Sequence, residues 1–316
     1  MLKAHLAACI LGLTALSAGP AFAQTYPSKP IRIVTSPAGG GNDLPARLIA
    51  RALSAPLGQQ LIVDNRPTVL IADLVAKAPP DGHTLLVTGS AHWIGPLVEK
   101  VTYDPIKDFA PITLIDRAPS VLVVHPSMPI KTVRQLIALA KSKPGELNFS
   151  VGGPGTSNFL GAILFNHMAG VNIVRIPYKG TGPALAAVMS GEVHAMFGSA
   201  GGAMPHVKSG RLRALAVGSA EPSGLTPGLP TLAASGVPGF VSEALHALFA
   251  TAGTPPAIVA RLNQEVVRYL QSAEAKDVFL KSGVETAPGS PDDLTALMKS
   301  EIARVDKALK AAGAGS

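Results

Sequence analysis

The chain has 316 residues, 47% hydrophobic and 15% charged, with 32 glycines, 28 prolines and a single cysteine. That length favours two domains with real apolar cores, and the composition excludes an intrinsically disordered chain. One cysteine excludes a disulfide framework and a cysteine-rich zinc module, no three-residue glycine period marks a collagen, and a net charge of +7 suits an anionic partner.

The chain begins with an address. Lys3 and His5 precede the apolar run Leu6–Leu16, and Ala21-Phe22-Ala23 follows, which together make a secretory signal cut after Ala23. The run is too short for a membrane span, which takes about 20 residues. Leu6-Ala7-Ala8-Cys9 has the shape of a lipoprotein box but precedes most of the apolar run, which argues against lipidation. Cleavage removes Lys3, no acid and the only cysteine, so the charge falls from +7 to +6. A cysteine-free mature chain suits an oxidising periplasm, and an exported soluble protein is expected.

Ile31–Val34 reads as a strand, followed by the glycine-rich loop Ser36–Asp43 and a helix bearing Leu44, Leu48, Ile49, Ala52 and Leu53 on one face, ending near Gly58. Leu61–Val63 and Leu85–Val87 are strands around a helix near Ile71–Ala78, and Val121–Val124 is a buried strand. Thr132 is placed to cap a helix through Lys141. The same grammar then repeats: strand Leu147–Val151, loop 152–158 and helix Phe159–Met168; strand Asn172–Pro177, loop Tyr178–Pro183 and a helix ending at Gly191; strand Val193–Phe197, loop 198–202 and a short helix. Leu212–Val217 and Leu245–Ala250 are further strands, Pro222–Pro238 is a long connection, and helices near Pro256–Leu270 and Pro291–Ala312 close the chain. Alternating strands and helices predict an α/β fold with parallel-rich sheets.

Each glycine-rich loop runs from a strand end to a helix start, where unpaired N–H groups and the positive dipole end bind oxyanions without a charged side chain. In open α/β sheets ligands sit at that edge. Asn42, Thr156, Ser157, Thr181 and Ser199 add short donors, although Asn42, Asp43, Ser157, Asn158 and Thr181 are equally ordinary N-caps. The Asp43 carboxylate would repel an anion unless it turns back onto its own helix. Lys179, Tyr178, His92, Trp93 and His246 are weaker candidates for the crevice wall.

Catalytic templates are poorly matched. Asn158 stands where a dinucleotide fingerprint needs its third glycine, no lysine follows any loop as in a P-loop, and Phe197 replaces the first glycine of a nucleophile elbow around Ser199. No histidine pair has zinc spacing, basic residues are scattered and aromatics are few, so no metal, no cofactor and no nucleic-acid partner is predicted.

Tyr26–Val34, Gly39–Asp43, Asp64-Asn65-Arg66-Pro67, Pro80-Asp81-Gly82, Tyr103-Asp104-Pro105, Lys107–Pro111, Pro177-Tyr178-Lys179-Gly180, Leu212–Val217 and Gly253-Thr254-Pro255 occur in order across the mature chain. Together they resemble the substrate-binding proteins of tripartite tricarboxylate transporters, the Bug family. The resemblance implies a two-lobed periplasmic binding protein of the type II, Venus-flytrap class with a parallel-rich sheet in each lobe. It implies no enzymatic activity; such a protein delivers a small organic carboxylate to a permease of one large and one small subunit, and a monomer is expected. Lobe boundaries are expected at 24–123 with 228–316, and at 124–227. Carried over by position, Ala38, Gly39, Gly40, Gly41, Asn42 and Asp43 form one carboxylate-gripping turn, and Gly155, Thr156 and Ser157 the other. Ser90, Tyr178, Thr181 and Ser199 fall at positions facing the cleft.

The chain departs from the family pattern at several places. Thr68-Val69-Leu70-Ile71 replaces a glycine-rich stretch, Gly198 replaces a common acid, and Phe159, Ile163, Leu245 and His246 replace common polar or aromatic residues. An aromatic or longer aliphatic carboxylate is therefore expected in place of an amino acid or citrate. Two other classes remain at this point: a periplasmic sensor that presents its ligand to a signalling partner, and a hydrolase using Ser199 or Ser157.

Overall fold

The computed structural model describes residues 26–38, 41–152 and 156–311. The predicted signal segment and Gly39, Gly40 and Gly155 lie outside the described residues.

Strands β1 (Ile31–Thr35), β2 (Leu61–Asn65) and β3 (Thr84–Gly89) pair in parallel, with β1 in the middle. Helix α1 (Asp43–Leu57) links the first two and α2 (Thr68–Ala76) links β2 to β3. Ile31, Ile33, Leu85 and Leu86 are wholly buried because helices cover both faces of the sheet. On α1, Ala46, Ile49, Ala50, Leu53 and Leu57 form the buried stripe, and each buried Ile or Leu contributes about 1.5–3 kcal/mol.

Two long antiparallel strands complete the centre. β4 (Phe109–Val124) pairs with β9 (Glu243–Thr251) along residues 109–119, and β9 pairs with β3. From Ser120 onward β4 pairs instead with β7 (Ala195–Ser199) and β8 (Arg213–Val217). β5 (Asn148–Val151) and β6 (Val174–Pro177) lie beyond β7, all three parallel. The full order is β2-β1-β3-β9-β4-β7-β5-β6, with β8 and β10 (Glu285–Thr286) paired to β4 off this path. The parallel strands predicted from the alternation thus form the two flanks, and the antiparallel pair β4 and β9 was not distinguished from them by pattern alone.

The short helix α3 (Ala91–Ile94) follows β3 and α4 (Val133–Ser142) follows β4; α5 (Ser157–Ala169), α6 (Thr181–Met189) and α7 (Ala200–Lys208) follow β5, β6 and β7 in turn. Thr132 caps α4 by accepting from Gln135 N–H, as predicted. α8 (Pro256–Gln271), α9 (Ala273–Lys281) and α10 (Pro291–Ala311) close the described chain. Leu160 and Ile163 of α5 pack with Trp93, Leu245 and Leu309, so a helix of the β5–β7 flank reaches into the core beside β3 and β9.

Three strands of chain cross between the flanks side by side. Ser120 N–H and Oγ–H both donate to Ser242 O, at 3.2 and 2.6 Å; Ser242 N–H donates to Gly218 O at 2.8 Å, and Gly218 N–H to Ser120 O at 2.6 Å. A Cβ on Gly218 would lie 2.7 Å from Ser242 O and clash with the Ser120 hydroxyl, so this approach requires glycine. Among the described residues no helix is long and apolar enough to cross a membrane.

Candidate functional site

The parallel register aligns strand ends. Thr35 is level with Asn65, and Val34 with Leu86, so β1, β2 and β3 end along one edge. Val151 is level with Pro177 and Phe149 with Ala195, which gives β5, β6 and β7 a common edge as well. β4 measures the gap between the two edges. Asp116 sits opposite His246, which sits opposite Gly89 at the end of β3, while Ser120 sits opposite Ser199 at the end of β7. Four residues of strand span about 13 Å, so the helix starts on both flanks face each other across the middle of β4.

On the first edge, Ala38 is exposed and followed by Gly41 and Asn42 at the start of α1. Thr35 Oγ1 donates to Asn42 O and to Val87 O, at 3.3 and 3.0 Å, tying this turn to β3. Asn42 occupies the N-cap position without a side-chain cap bond. Its Oδ1 would be 3.3 Å from a Cβ on Gly89, so its amide lies over the end of β3. Asp43 resolves the difficulty raised by its charge in an unforeseen way. It is buried, with Oδ1 accepting from Asn65 Nδ2 at 2.8 Å and Oδ2 from Arg47 Nε at 3.1 Å. Asn65 also donates to Ser36 O at 2.7 Å and accepts from Arg47 at 3.0 Å. The Asp43 charge is thus spent on a brace against β2. Asn65 and Arg47 were not singled out from sequence, although Asn65 lies in the Asp64–Pro67 segment that carried the family resemblance.

On the second edge, Thr156 is the N-cap residue of α5 and donates through Oγ1 to Asn158 Oδ1 at 2.6 Å. The same oxygen accepts from Gly152 N–H at 3.2 Å and Phe159 N–H at 2.8 Å, and the buried Nδ2 has no partner among the described residues. Ser157 begins α5 and, with Ser90, lines a narrow recess floored by Leu160, Ser242, Glu243 and Arg304. The recess brings one predicted residue from each edge together. Tyr178, at the end of β6, donates its hydroxyl to Glu192 at 2.9 Å, and Thr181 is the exposed first residue of α6, whose N-cap is Gly180. Ser199 caps α7 by accepting from Gly202 N–H at 3.3 Å.

A cavity of about 290 Å³ opens beside Asn42 and Gly89. It is lined by Val69, Ile71 and Ala72 of α2 and by Glu99, Lys100, Val101 and Tyr103 of the segment that follows α3. The Thr68–Ile71 segment therefore forms a helix start that walls this cavity, with Val69 exposed and Ile71 buried. Ile163 and Leu245 turn into the core, so the apolar wall comes from these other residues. Phe159 lies under the Arg175 guanidinium, 5.7 Å from its ring centre. His92 also lines the cavity but stacks on Tyr103 and meets Phe109 edge-on; burial pushes its pKa down to about 3, so it is neutral. Trp93 is structural, donating to Glu301 at 2.8 Å.

His246 reaches the first edge. Its Nδ1 lies 2.6 Å from Oδ1 of the fully buried Asp116, and its Nε2 would be 3.6 Å from a Cβ on Gly41. Burial alone would lower the imidazole pKa, but the Asp116 charge and hydrogen bond overcome this and raise it.

Residues 45–314 match the pattern of the tripartite tricarboxylate transporter family receptor. The chain belongs to that family. BugT of Bordetella pertussis is 35% identical over 308 residues, covering 95% of this chain and 94% of BugT. The Rhodopseudomonas palustris protein Rpa4515, solved with adipate, superposes with a TM-score of 0.80 at 36% identity, covering 91% of this chain and 98% of that one. MatC of the same organism, solved with bound malate, gives 0.76 at 32%, covering 90% and 100%. Receptors of this family are periplasmic solute-binding proteins and not enzymes, and this receptor has their two-lobed α/β fold.

Proposed function

We propose that this receptor is exported to the periplasm, closes its two lobes on a small organic carboxylate, and hands it to a permease of one large and one small subunit. The observation that carries the reading is the facing of two sets of helix starts across β4, with Ser90 and Ser157 already sharing one recess. N–H groups at Gly41–Asp43 would hold one carboxylate from below, and those at Thr156–Asn158 would close over it. The lobes would hinge where Ser120, Gly218 and Ser242 run side by side, and ligand would favour the closed form to the extent that it binds that form more tightly.

The apolar walls of the cavity beside Asn42 favour a longer aliphatic or aromatic acid, with its chain against Val69, Ile71, Val101 and Tyr103. The adipate held by Rpa4515 is an acid of this kind. Ser199 Oγ serves as the N-cap acceptor of α7, the ordinary structural role of a serine at a helix start. Calorimetry with adipate, malate, benzoate, aspartate and citrate tests the proposal. Tight binding of adipate or benzoate is expected; tight binding of aspartate or citrate alone would reject the proposed ligand class, and heat from none would reject the function.

A further inference from the structure

Asp116 and His246 form a pair that the turns alone do not need. Asp116 is fully buried in β4, and its Oδ2 has no hydrogen-bond partner among the described residues. A buried carboxylate of this kind demands a compensating positive charge. The short contact of its other oxygen with Nδ1 makes His246 the group that supplies it.

The other end of the imidazole is aimed at the ligand turn. Only 12% of the His246 side chain is exposed. Its outer edge is flanked by two glycines: Nε2 faces Gly41, and Cδ2 would be 3.6 Å from a Cβ on Gly89. Nε2 makes no hydrogen bond among the described residues. A Cβ at 41 or at 89 would sit in contact with this edge of the imidazole, which lies beside the Asn42 amide.

We propose that His246, oriented by Asp116, donates its Nε2–H to a ligand carboxylate seated at Gly41 and Asn42, where α1 starts, and supplies that end of the site with its positive charge. The assignment rests on the carboxylate reading above and adds a specificity-determining residue to it. With Nδ1–H committed to Asp116, Nε2 carries a proton only in the imidazolium form. Neutral imidazole would turn a lone pair toward the anion. Binding and protonation are therefore coupled.

The charges around His246 leave Asp116 in control of that proton. On β4 and β9, Arg117 and Glu243 occupy alternate positions that face the opposite side of the sheet, where they approach each other at 4.0 Å. β3 contributes Gly89, the turn contributes neutral Asn42, and Asp43 is bound to Asn65 and Arg47. On β10, Thr286 lies opposite Asp116 and Glu285 accepts from Ser223.

Calorimetric titration of the mature protein with adipate from about pH 6.5 to 9, where ordinary carboxyls stay ionised, tests the assignment. Wild type is expected to lose affinity as pH rises through the imidazolium midpoint, up to about tenfold per pH unit. His246→Gln should bind at least about tenfold more weakly at the acid end and show a flat profile. Asp116→Asn should shift the loss to lower pH. A folded His246→Gln protein with the affinity and profile of wild type would overturn the assignment while leaving the carboxylate reading intact. Absence of adipate binding by wild type at every pH would overturn the carboxylate reading for this acid and the assignment with it. Should the glutamine variant not fold, nitrogen NMR of wild-type His246 decides: adipate must raise the imidazole pKa, and an unchanged titration overturns the assignment.

Discussion

The turn after β1 is fastened from outside itself, by Asn65 of β2 and by Arg47 one helical turn along, which between them engage Ser36 O and both Asp43 oxygens. The turn after β5 is fastened from inside, by Asn158, whose single oxygen gathers Gly152 N–H, Phe159 N–H and the Thr156 hydroxyl. One arrangement is distributed over two elements and tolerates the loss of a member. The other concentrates three hydrogen bonds from Gly152, Thr156 and Phe159 on one buried atom. The contrast also separates charge from grip. The acid beside the first turn has its oxygens engaged by Asn65 and Arg47, whereas an acid at 158 would be buried at the second helix start with no such cation beside it among the described residues.

The largest effect is therefore expected at Asn158. Asn158→Ala should cost about 2–4 kcal/mol in urea unfolding, because Gly152 N–H is buried and would lose its acceptor. Asn158→Asp keeps the acceptor but buries a carboxylate with no compensating cation among the described residues, so it should also lose stability, and it should weaken acid binding by calorimetry through like-charge repulsion. Equal binding by this variant would break the comparison. Asn65→Ala should cost about 1–2 kcal/mol, since Arg47 still holds Asp43. Ser199→Ala removes one N-cap bond and should cost about 1 kcal/mol. Arg47→Ala comes last, at less than about 1 kcal/mol, because its side chain is 53% exposed and water replaces the pair. A loss at Arg47 exceeding that at Asn158 would reverse the ranking and refute the distributed brace.

Much of this was legible before the structure. Ile31–Val34 and Leu85–Val87 are apolar runs of strand length, and α1 shows its buried stripe at helical spacing with Gly58 at its end, because burial writes periodicity into sequence. For β4 the sequence pattern marks only the last four residues, Val121–Val124. Pro111 and Pro119 interrupt its pattern, and the pairing with β9 shifts register between Pro111 and Thr113 and between Leu114 and Asp116. β10 spans two residues and carries no period at all. The helix near Pro256–Leu270 matches α8, whereas α9, capped by Ser272 accepting from Ala275 N–H, has no counterpart in the sequence reading.

The site was legible in the same uneven way. Glycine-rich turns at strand ends identify themselves, since their local chemistry predicts anion binding. Asn65 lies 22 residues from Asp43 and Asp116 lies 130 from His246, and such pairings depend on strand order, which no local pattern encodes. The Thr68–Ile71 segment was visible as a departure, but its role as a cavity wall follows only from the helix that it starts.

Hydrogen exchange at the backbone amides of 41–43 and 157–160, with and without saturating adipate, tests the central claim most directly. Simultaneous protection of both sets is predicted, because one carboxylate would be held between helix starts from the two lobes. Adipate bound with protection confined to one set, or to neither, would contradict it.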